Sequence, residues 1–205
     1  DGGSWIDSAA RTTTMNEAKI RATVEESIAV KRALLERCTA ALVALCNLAV
    51  ATLRGGGKIL LCGNGGSSCD AAHAAGELVG WFEKKQRPPY AAIALGQSVP
   101  TLTAIGNDAG YEHVFAREVE ALGRPGDLLI GITTSGGSKN VVAALKQAKL
   151  MGLSTAVLCG EKRGVALDHA DVALQVPSTS TARIQESHLV CVHVMCAAVE
   201  DAMTS

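Results

Sequence analysis

Short apolar runs alternate with longer amphipathic stretches from residue 58 onward. The short runs are typical of buried strands, and apolar residues spaced three and four apart are typical of helices. The pattern predicts strands at residues 58–62, 90–95, 127–132, 154–159 and 171–175. It predicts helices at residues 67–80, 99–106, 111–122, 138–150 and 182–203, with a short turn or helix near 164–168. This alternation indicates an α/β fold: a parallel sheet of about five strands flanked by helices, with ligands at the carboxyl ends of the strands.

The segment before the first strand has a different pattern. From about residue 16 to residue 54, apolar residues recur at helical spacing, and the run ends at three consecutive glycines. They occupy more than one face, so the helix needs a partner, and we expect part of its burial to come from another subunit. Residues 1–14 lack the features of a secretory signal. We interpret them as an N-terminal extension that precedes one domain over residues 15–205.

The composition of the chain limits the classes of partner and the cellular compartment that we expect for this protein. A chain of 205 residues suffices for one α/β domain. The net charge of −1 and the aromatic content of 3% leave no basic stripe or stacking platform, so we expect no nucleic-acid partner. No apolar run reaches the roughly 18 residues of a membrane span, so we expect no membrane association. Seven cysteines without a C-x-x-C pair favour a reducing compartment, and we predict a cytoplasmic protein.

Two predicted strands run into loops of Gly, Ser, Thr and Asn, and each loop opens a helix. The first loop spans residues 63–68 and the second spans residues 133–138. Free backbone N–H groups and the helix dipole both favour an anion at such a place, so two loops together predict a phosphorylated ligand. The dinucleotide fingerprint fails at its third glycine and a P-loop motif is absent, which argues against a nucleotide. Either loop alone could be only a strand-to-helix turn.

Two helices carry candidate chemistry. His73 and Glu77, at i and i+4, share one face of the helix after the first loop. An imidazole and a carboxylate so placed can share a metal or a proton, although a surface ion pair has the same spacing.

The last helix carries candidate chemistry as well, with Arg183, Gln185, Glu186, His188 and His193 among apolar neighbours. Helical geometry puts Glu186 nearly in line with His193, while Gln185 lies about 80° away at about 100° per residue. The spacing does not choose a partner for His193 among Gln185, Glu186 and His188. A buried core or interface histidine is an alternative for either imidazole.

Four stretches resemble the sugar isomerase (SIS) domain family and, within it, the phosphoheptose isomerases, over roughly residues 16–203. They are residues 62–78, 106–111, 131–138 and 183–193. The Thr-Ser-Gly-x-Ser loop is general to SIS domains, whereas the combination of Asn-Gly-Gly-Ser, His-x-x-x-Glu and Ile-Gln-Glu-x-His is far more specific. The resemblance implies a single SIS domain with a flavodoxin-like sheet and an N-terminal oligomerisation helix. It also implies a homotetramer with active sites at subunit interfaces.

The resemblance also implies a ligand set. A divalent metal, expected to be one zinc per subunit, would be held by His73, Glu77, Gln185 and His193. The substrate-binding positions are Asn64, Gly65, Gly66, Ser67, Asp108, Thr133, Thr134, Ser135, Ser138 and Gln185. Among these, Asn64 and Asp108 match positions that line the sugar site, and serine and threonine hydroxyls bind the phosphate.

The implied reaction interconverts D-sedoheptulose 7-phosphate and D-glycero-D-manno-heptose 7-phosphate, a step toward nucleotide-activated heptose and lipopolysaccharide. Moving a carbonyl between C2 and C1 through an enediol requires a base at the carbon-bound proton and a group that serves the oxygens. We assign Glu77 as the base and His193 as the acid. Both are also expected metal ligands, so either would have to loosen from the metal during turnover.

Two positions depart from the family pattern. Ala182 stands where an aspartate commonly precedes Arg-Ile-Gln-Glu, and Ser68 follows the Gly-Gly-Ser where the isomerases commonly have histidine. Both changes resemble the non-catalytic branch typified by the DnaA initiator-associating protein, a phosphosugar-binding or interaction module. Glu77 and His193 favour an enzyme, because a binding module has no chemical need for them. An isomerase of another ketose phosphate is a third hypothesis.

Overall fold

The computed structural model describes residues 15–204, so the extension predicted for residues 1–14 lies outside the described residues. Five strands form one parallel sheet in the order β2-β1-β3-β4-β5. The strands are β1 Ile59–Gly63, β2 Ala92–Ala94, β3 Leu128–Ile132, β4 Ser154–Gly160 and β5 Val172–Val176. The helices are α1 Glu17–Arg54, α2 Gly66–Val79, α3 Val99–Asp108, α4 Val114–Leu122, α5 Lys139–Leu150 and α6 Thr181–Thr204. The predicted α/β class and five-stranded parallel sheet are confirmed.

Two predicted elements are shorter in the structure. The strand expected over residues 90–95 keeps only its centre, Ala92–Ala94. Tyr90 and Leu95, which flank this strand, are buried. The helix expected over residues 111–122 begins with a separate 3-10 turn, Tyr111–His113. Gly110 precedes this turn, and its φ of +95°, a conformation that suits glycine, separates the turn from α3.

The sheet is covered on both faces, which is why its central strands are apolar throughout. Every residue of β1 and β3 is buried. Side chains that alternate along these strands enter two cores: Leu61 and Ile130 pack with α1, α2 and α6, while Leu60 and Leu129 pack with α4 and α5. The carboxyl ends of β1 and β3 are therefore side by side, with Gly63 paired to Ile132.

The long helix α1 has two unlike halves. Its C-terminal half buries Leu45 and Ala49 in the core, whereas Ile20, Val24 and Leu35 in its N-terminal half are more than half exposed. Within residues 15–204, α1 is the one helix whose length and hydropathy would allow a bilayer crossing, a weak criterion that core helices also meet. The N-terminal half of α1 thus carries an apolar surface that the single chain leaves uncovered.

The seven cysteines all lie in the described residues and form no disulfide. Six are buried, and only Cys69 is exposed. Burial raises the pKa of Cys62 to about 12 and that of Cys159 to about 11. These buried thiols stay protonated and behave as small core hydrophobes.

Candidate active site

The first loop turns sharply from β1 into α2. Gly65 has a φ of +54°, and a Cβ built on Gly63 would lie 2.6 Å from the backbone oxygen of Ser67, so both positions require glycine. The turn closes with a hydrogen bond of 3.0 Å from the Ser67 amide to the carbonyl of Asn64. Ser67 is nearly fully buried, and Asn64 is half-buried. The loop thus brings glycine backbone to the N-terminus of α2 with little side chain in the way.

The second loop is organised by its own hydroxyl groups. Thr133 Oγ1 lies 2.8 Å from Ser138 Oγ and 3.4 Å from Ser135 Oγ, while the Gly137 amide donates to Ser135 Oγ at 3.2 Å. These contacts gather three predicted phosphate-binding hydroxyls at the N-terminus of α5. Thr134 and Ser135 also line a cavity of about 140 Å³ that reaches the loop before α6.

A cluster of nitrogen and oxygen ligand atoms forms where α2 meets α6. The Nε2 atoms of His73 and His193 are 2.9 Å apart, and His73 Nε2 is 3.3 Å from Glu77 Oε1. The ligand atoms of the three residues all lie within 4.8 Å of one another, so small side-chain rotations would bring them onto one ion. Two imidazoles and a carboxylate are a donor set that zinc accepts, with a position left for a fourth ligand. The residues present therefore fit a divalent metal.

The structure separates the three candidate partners that spacing left open on α6. Glu186 faces α1, where Ser27 donates to its carboxylate at 2.6 Å. Arg183, on α6 itself, also donates to this carboxylate, at 2.7 Å. These contacts, led by the Ser27 hydrogen bond, lower the pKa of Glu186. His188 is fully buried, and burial lowers its pKa to about 4, so it is neutral. Gln185 instead faces α2.

Gln185 lies against the start of α2. A Cβ built on Gly66 would come within 2.6 Å of Gln185 Nε2, so the Gln185 amide packs directly on the backbone of that glycine. The amide of Gln185 therefore reaches the first loop rather than the core. Its predicted metal bond and sugar contact both remain predictions.

Asp108 is the predicted site residue that the structure leaves apart. It is exposed at the last turn of α3, where Asn107 donates to its carboxylate at 2.8 Å. A cavity of about 70 Å³ beside Asn64 is lined by Tyr111 and Ser68, among others, and Asp108 is not in its wall. Its assignment to the sugar site stays a prediction.

A buried ion pair ties the ends of α2 and α6 together, and sequence reasoning missed it. Arg87 Nε donates to Glu200 at 2.6 Å, with both side chains about 1% exposed. Arg87 also donates to the backbone oxygens of Glu77 and Leu78 at the C-terminus of α2, and the Leu78 oxygen accepts from the Tyr90 amide as well. Glu200 lies two turns after His193 on α6, so the pair holds the two ligand-bearing helices in register. No sequence motif signals this contact, because Arg87 belongs to a loop.

Two residues beside the cluster also escaped prediction. Phe82 follows α2, and its ring centroid lies 5.4 Å from that of His193. Asp70 precedes His73 by one turn and has a buried carboxylate oxygen with no protein partner. Burial raises the pKa of Asp70, and the nearby His73 opposes that shift. Asp70 and His73 at i and i+3 share a helix face, a spacing that could have singled out Asp70.

Residues 24–160 match the family model described as SIS domain, so the chain belongs to the SIS domain family. Its relatives in that family include proteins named phosphoheptose isomerase. One from Roseiflexus sp. (strain RS-1) is 51% identical over 177 residues, which cover 86% of this chain and 89% of the relative. One from Aquifex aeolicus (strain VF5) is 46% identical over 183 residues, covering 89% and 95% of the two chains.

Solved structures agree with this placement. A phosphoheptose isomerase from Francisella tularensis superposes with a TM-score of 0.88 at 36% identity, covering 92% of this chain and all of that one. The phosphoheptose isomerase GmhA from Neisseria gonorrhoeae superposes with a TM-score of 0.85 at 40% identity, covering 90% and 98% of the two chains. The resemblance to the SIS family and its phosphoheptose isomerases is confirmed.

Proposed function

We propose that this chain is an aldose–ketose isomerase that interconverts D-sedoheptulose 7-phosphate and D-glycero-D-manno-heptose 7-phosphate. The observation that carries the proposal is the convergence of His73, Glu77 and His193 where α2, the helix that the first loop opens, meets α6. The names and identities of the relatives support the heptose as substrate. The product would serve nucleotide-activated heptose and lipopolysaccharide synthesis.

The two loops would bind the phosphate. The buried Ser67 belongs to the first loop, and Thr133, Ser135 and Ser138 belong to the second. Hydroxyl and amide donors at two helix N-termini favour a dianion without any cationic side chain. Binding the far end of the sugar in this way would fix C1 and C2 at a set distance from the loops.

Glu77 and His193 would move the protons. Glu77 removes the carbon-bound proton at one of the two carbons and returns it to the other, and His193 donates to and accepts from the oxygens. The side chain of Glu77 is 25% exposed, so it can reach a bound sugar while its helix stays packed. The resulting intermediate is an enediol.

The metal site would consist of His73, Glu77, Gln185 and His193, with one zinc in each subunit. When bound, a divalent metal polarises substrate oxygens as a Lewis acid. The 2.9 Å approach of the His73 and His193 nitrogens supports the cluster as the place where it binds. Because Glu77 and His193 have both roles, they would exchange between metal and substrate.

Assembly and location complete the proposal. The exposed apolar residues Ile20, Val24 and Leu35 on α1 support self-association, as a homotetramer. We place the SIS domain over residues 15–205, after an extension of residues 1–14, in the cytoplasm. Neither nucleic acid nor membrane is a proposed partner.

Ala182 and Ser68 favour a second candidate, a non-catalytic phosphosugar-binding module. Ala182 is exposed at the start of α6. The Ser68 hydroxyl donates a hydrogen bond of 2.7 Å to the carbonyl of Gly65. Neither side chain offers a titratable group. The two candidates differ in one measurable respect, which is turnover.

The test is incubation of metal-replete protein with sedoheptulose 7-phosphate, followed by NMR for the aldose product. We expect the equilibrium mixture of ketose and aldose. Tight binding of the sugar phosphate without product would refute the isomerase and favour the binding module. Turnover of a different ketose phosphate alone would correct the substrate.

A further inference from the structure

Asn64 and Asn140 form a reciprocal amide pair that joins the two loops. Asn64 Nδ2 donates to Asn140 Oδ1 at 2.9 Å, and Asn140 Nδ2 donates to Asn64 Oδ1 at 2.8 Å. Asn140 is nearly fully buried in the first turn of α5, whereas Asn64 is half-buried after β1. The pair therefore anchors the side chain of a loop residue to a residue inside a helix.

The orientation of both amides is determined by one backbone group. The amide N–H of Val141 donates to Asn140 Oδ1 at 3.0 Å. Because a backbone N–H can only donate, it must face the oxygen of Asn140 and not its nitrogen. The reciprocal pair then places the oxygen of Asn64 toward the nitrogen of Asn140, and rotating Asn64 by 180° would oppose like groups.

Tyr111 completes the arrangement. Its hydroxyl donates to Asn64 Oδ1 at 3.0 Å, so that oxygen accepts from both Tyr111 and Asn140. A carbonyl oxygen has two lone pairs, and both are now used. The side chain of Asn64 therefore has no accepting capacity left, but it keeps one N–H. Asn64 and Tyr111 both line the cavity of about 70 Å³.

We propose that Asn140 and Tyr111 are positioning residues that hold Asn64 as a donor-only group facing a substrate oxygen. A fixed N–H favours a carbonyl oxygen or a developing oxyanion and has nothing to offer a hydroxyl proton. The inference rests on the proposed isomerase function and deepens it, since it assigns Asn64 to the oxygen whose charge changes in the reaction. No sequence motif indicated Asn140 or Tyr111 for this role.

The first test is Asn140→Asp. The carboxylate can still accept from Val141 and from Asn64, but it cannot donate to Asn64 Oδ1, so the Asn64 amide loses its fixed orientation. The helix dipole stabilises a negative charge in the first turn of α5, so the variant should fold. We expect kcat to fall by about 10²-fold, the lower end of the effect of removing one oxyanion donor, with a smaller change in KM. Unchanged kcat would overturn the proposal.

A double-mutant cycle separates positioning from direct charge repulsion. If Asn140 acts through Asn64, Asn140→Asp should have no further effect on kcat in an Asn64→Ala background. If the new charge instead repels the substrate phosphate, the full effect will persist there, and the proposal is wrong. Gln147→Glu on the same helix is the control for charge alone and should leave kcat unchanged. Tyr111→Phe removes one neutral hydrogen bond, and we expect a fall of about 3-fold to 10-fold.

A second measurement is independent of the reaction. In the free protein, one side-chain N–H of Asn64 lies in the amide pair and the other does not, so NMR should find slower hydrogen exchange for the first. Asn140→Asp should reduce that difference. If the wild type does not isomerise the sugar, the proposed function fails, while this exchange difference still decides whether the amide pair exists. Equal exchange of both protons in the wild type would overturn the pair itself.

Discussion

The helix cluster and the two loops differ in their proposed roles and in the kind of structure that forms them. The helix cluster, His73, Glu77 and His193, stands on two long helices that the buried pair of Arg87 and Glu200 joins. The loops rely on backbone amides and hydroxyls that contact one another within a few residues. Titratable groups thus lie on helices from distant segments of the chain, and the proposed phosphate donors lie on local turns.

This difference separates the consequences of substitution. A change in the helix cluster removes a specific proton or ligand, and no neighbouring backbone group can replace it. A change in a loop removes one of several donors to the same anion. We therefore expect the helix cluster to govern kcat and metal content, and the loops to govern KM.

The largest expected effect is that of Glu77→Gln. The amide keeps the shape of the carboxylate but removes its basicity, so kcat should fall by about 10²-fold to 10⁴-fold. Sugar-phosphate binding, measured by calorimetry, should survive because the loops are unchanged. Glu120→Gln, an exposed substitution on α4, is the matched control. Wild-type turnover in the Glu77 variant would refute the assignment of the base.

Metal content should respond next. We expect about one zinc per chain in the purified wild type and a large loss in His73→Ala, because one of the two imidazole ligands is gone. Elemental analysis of the two proteins measures this directly. His169→Ala, at the end of the 3-10 turn Val165–His169 that precedes β5, should keep its metal. Equal metal in the wild type and His73→Ala would show that the ion binds elsewhere.

Stability should distinguish the two regions as well. Glu200→Gln leaves Arg87 as a buried charge without its counterion, and breaking such a pair costs roughly 3–5 kcal/mol in free energy of unfolding. Ser135→Ala, in an exposed part of the second loop, should change it by less than about 0.5 kcal/mol. Urea unfolding of both variants tests the contrast. Similar losses in the two would mean that the loops are as important for folding as the ion pair.

Acid should weaken the same link between the helices. Burial raises the pKa of Glu200, but hydrogen bonds from Arg87 and three backbone amides outweigh it and lower that pKa to about 2. The folded value lies below the unfolded value of about 4.3, so the contribution of Glu200 is complete above that pH and is lost as pH falls toward 2. The free energy of unfolding of the wild type should therefore decrease over this range. The slope should be smaller in Glu200→Gln.

The smallest expected effect on kcat comes from the loops, whose substitutions should act on substrate affinity instead. Ser67→Ala with Ser135→Ala removes two neutral donors to a charged phosphate, each worth roughly 1.5–3 kcal/mol. KM should rise while kcat changes little. Ser154→Ala, at the opposite end of the sheet, is the control. If the double variant has wild-type kinetics, the loops are only turns.

The pattern of apolar residues was enough to predict the sheet, since buried parallel strands leave continuous apolar runs. It extended β2 to Tyr90, a buried residue whose backbone amide bonds the end of α2 at Leu78 and not β1. It also joined the 3-10 turn Tyr111–His113 to α4, because periodicity alone does not separate such a turn from the helix that follows it. The exact ends of an element depend on backbone dihedral angles, which the pattern of apolar residues does not report.

The site was less predictable than the fold. The i and i+4 spacing of His73 and Glu77 placed them correctly on one face, but the facing of α6 depends on how α1 packs. Ser27 and Lys31 draw Glu186 away, which no spacing rule within α6 could reveal. Asn140 lay outside every motif that we used. Contacts between elements distant in sequence decided both cases.

The dependence of the site on α6 has a consequence for synthesis of the chain. The last strand of the sheet, β5, ends at Val176, so all five strands precede His193 and Glu200 along the chain and leave the ribosome before them. An intermediate in which the strands have paired before α6 packs would have both Gly/Ser loops but only two of the three residues of the helix cluster, and Arg87 would lack its buried counterion. Its uncovered apolar face would be a target for chaperones, because exposed hydrophobic surface on a folding intermediate promotes aggregation.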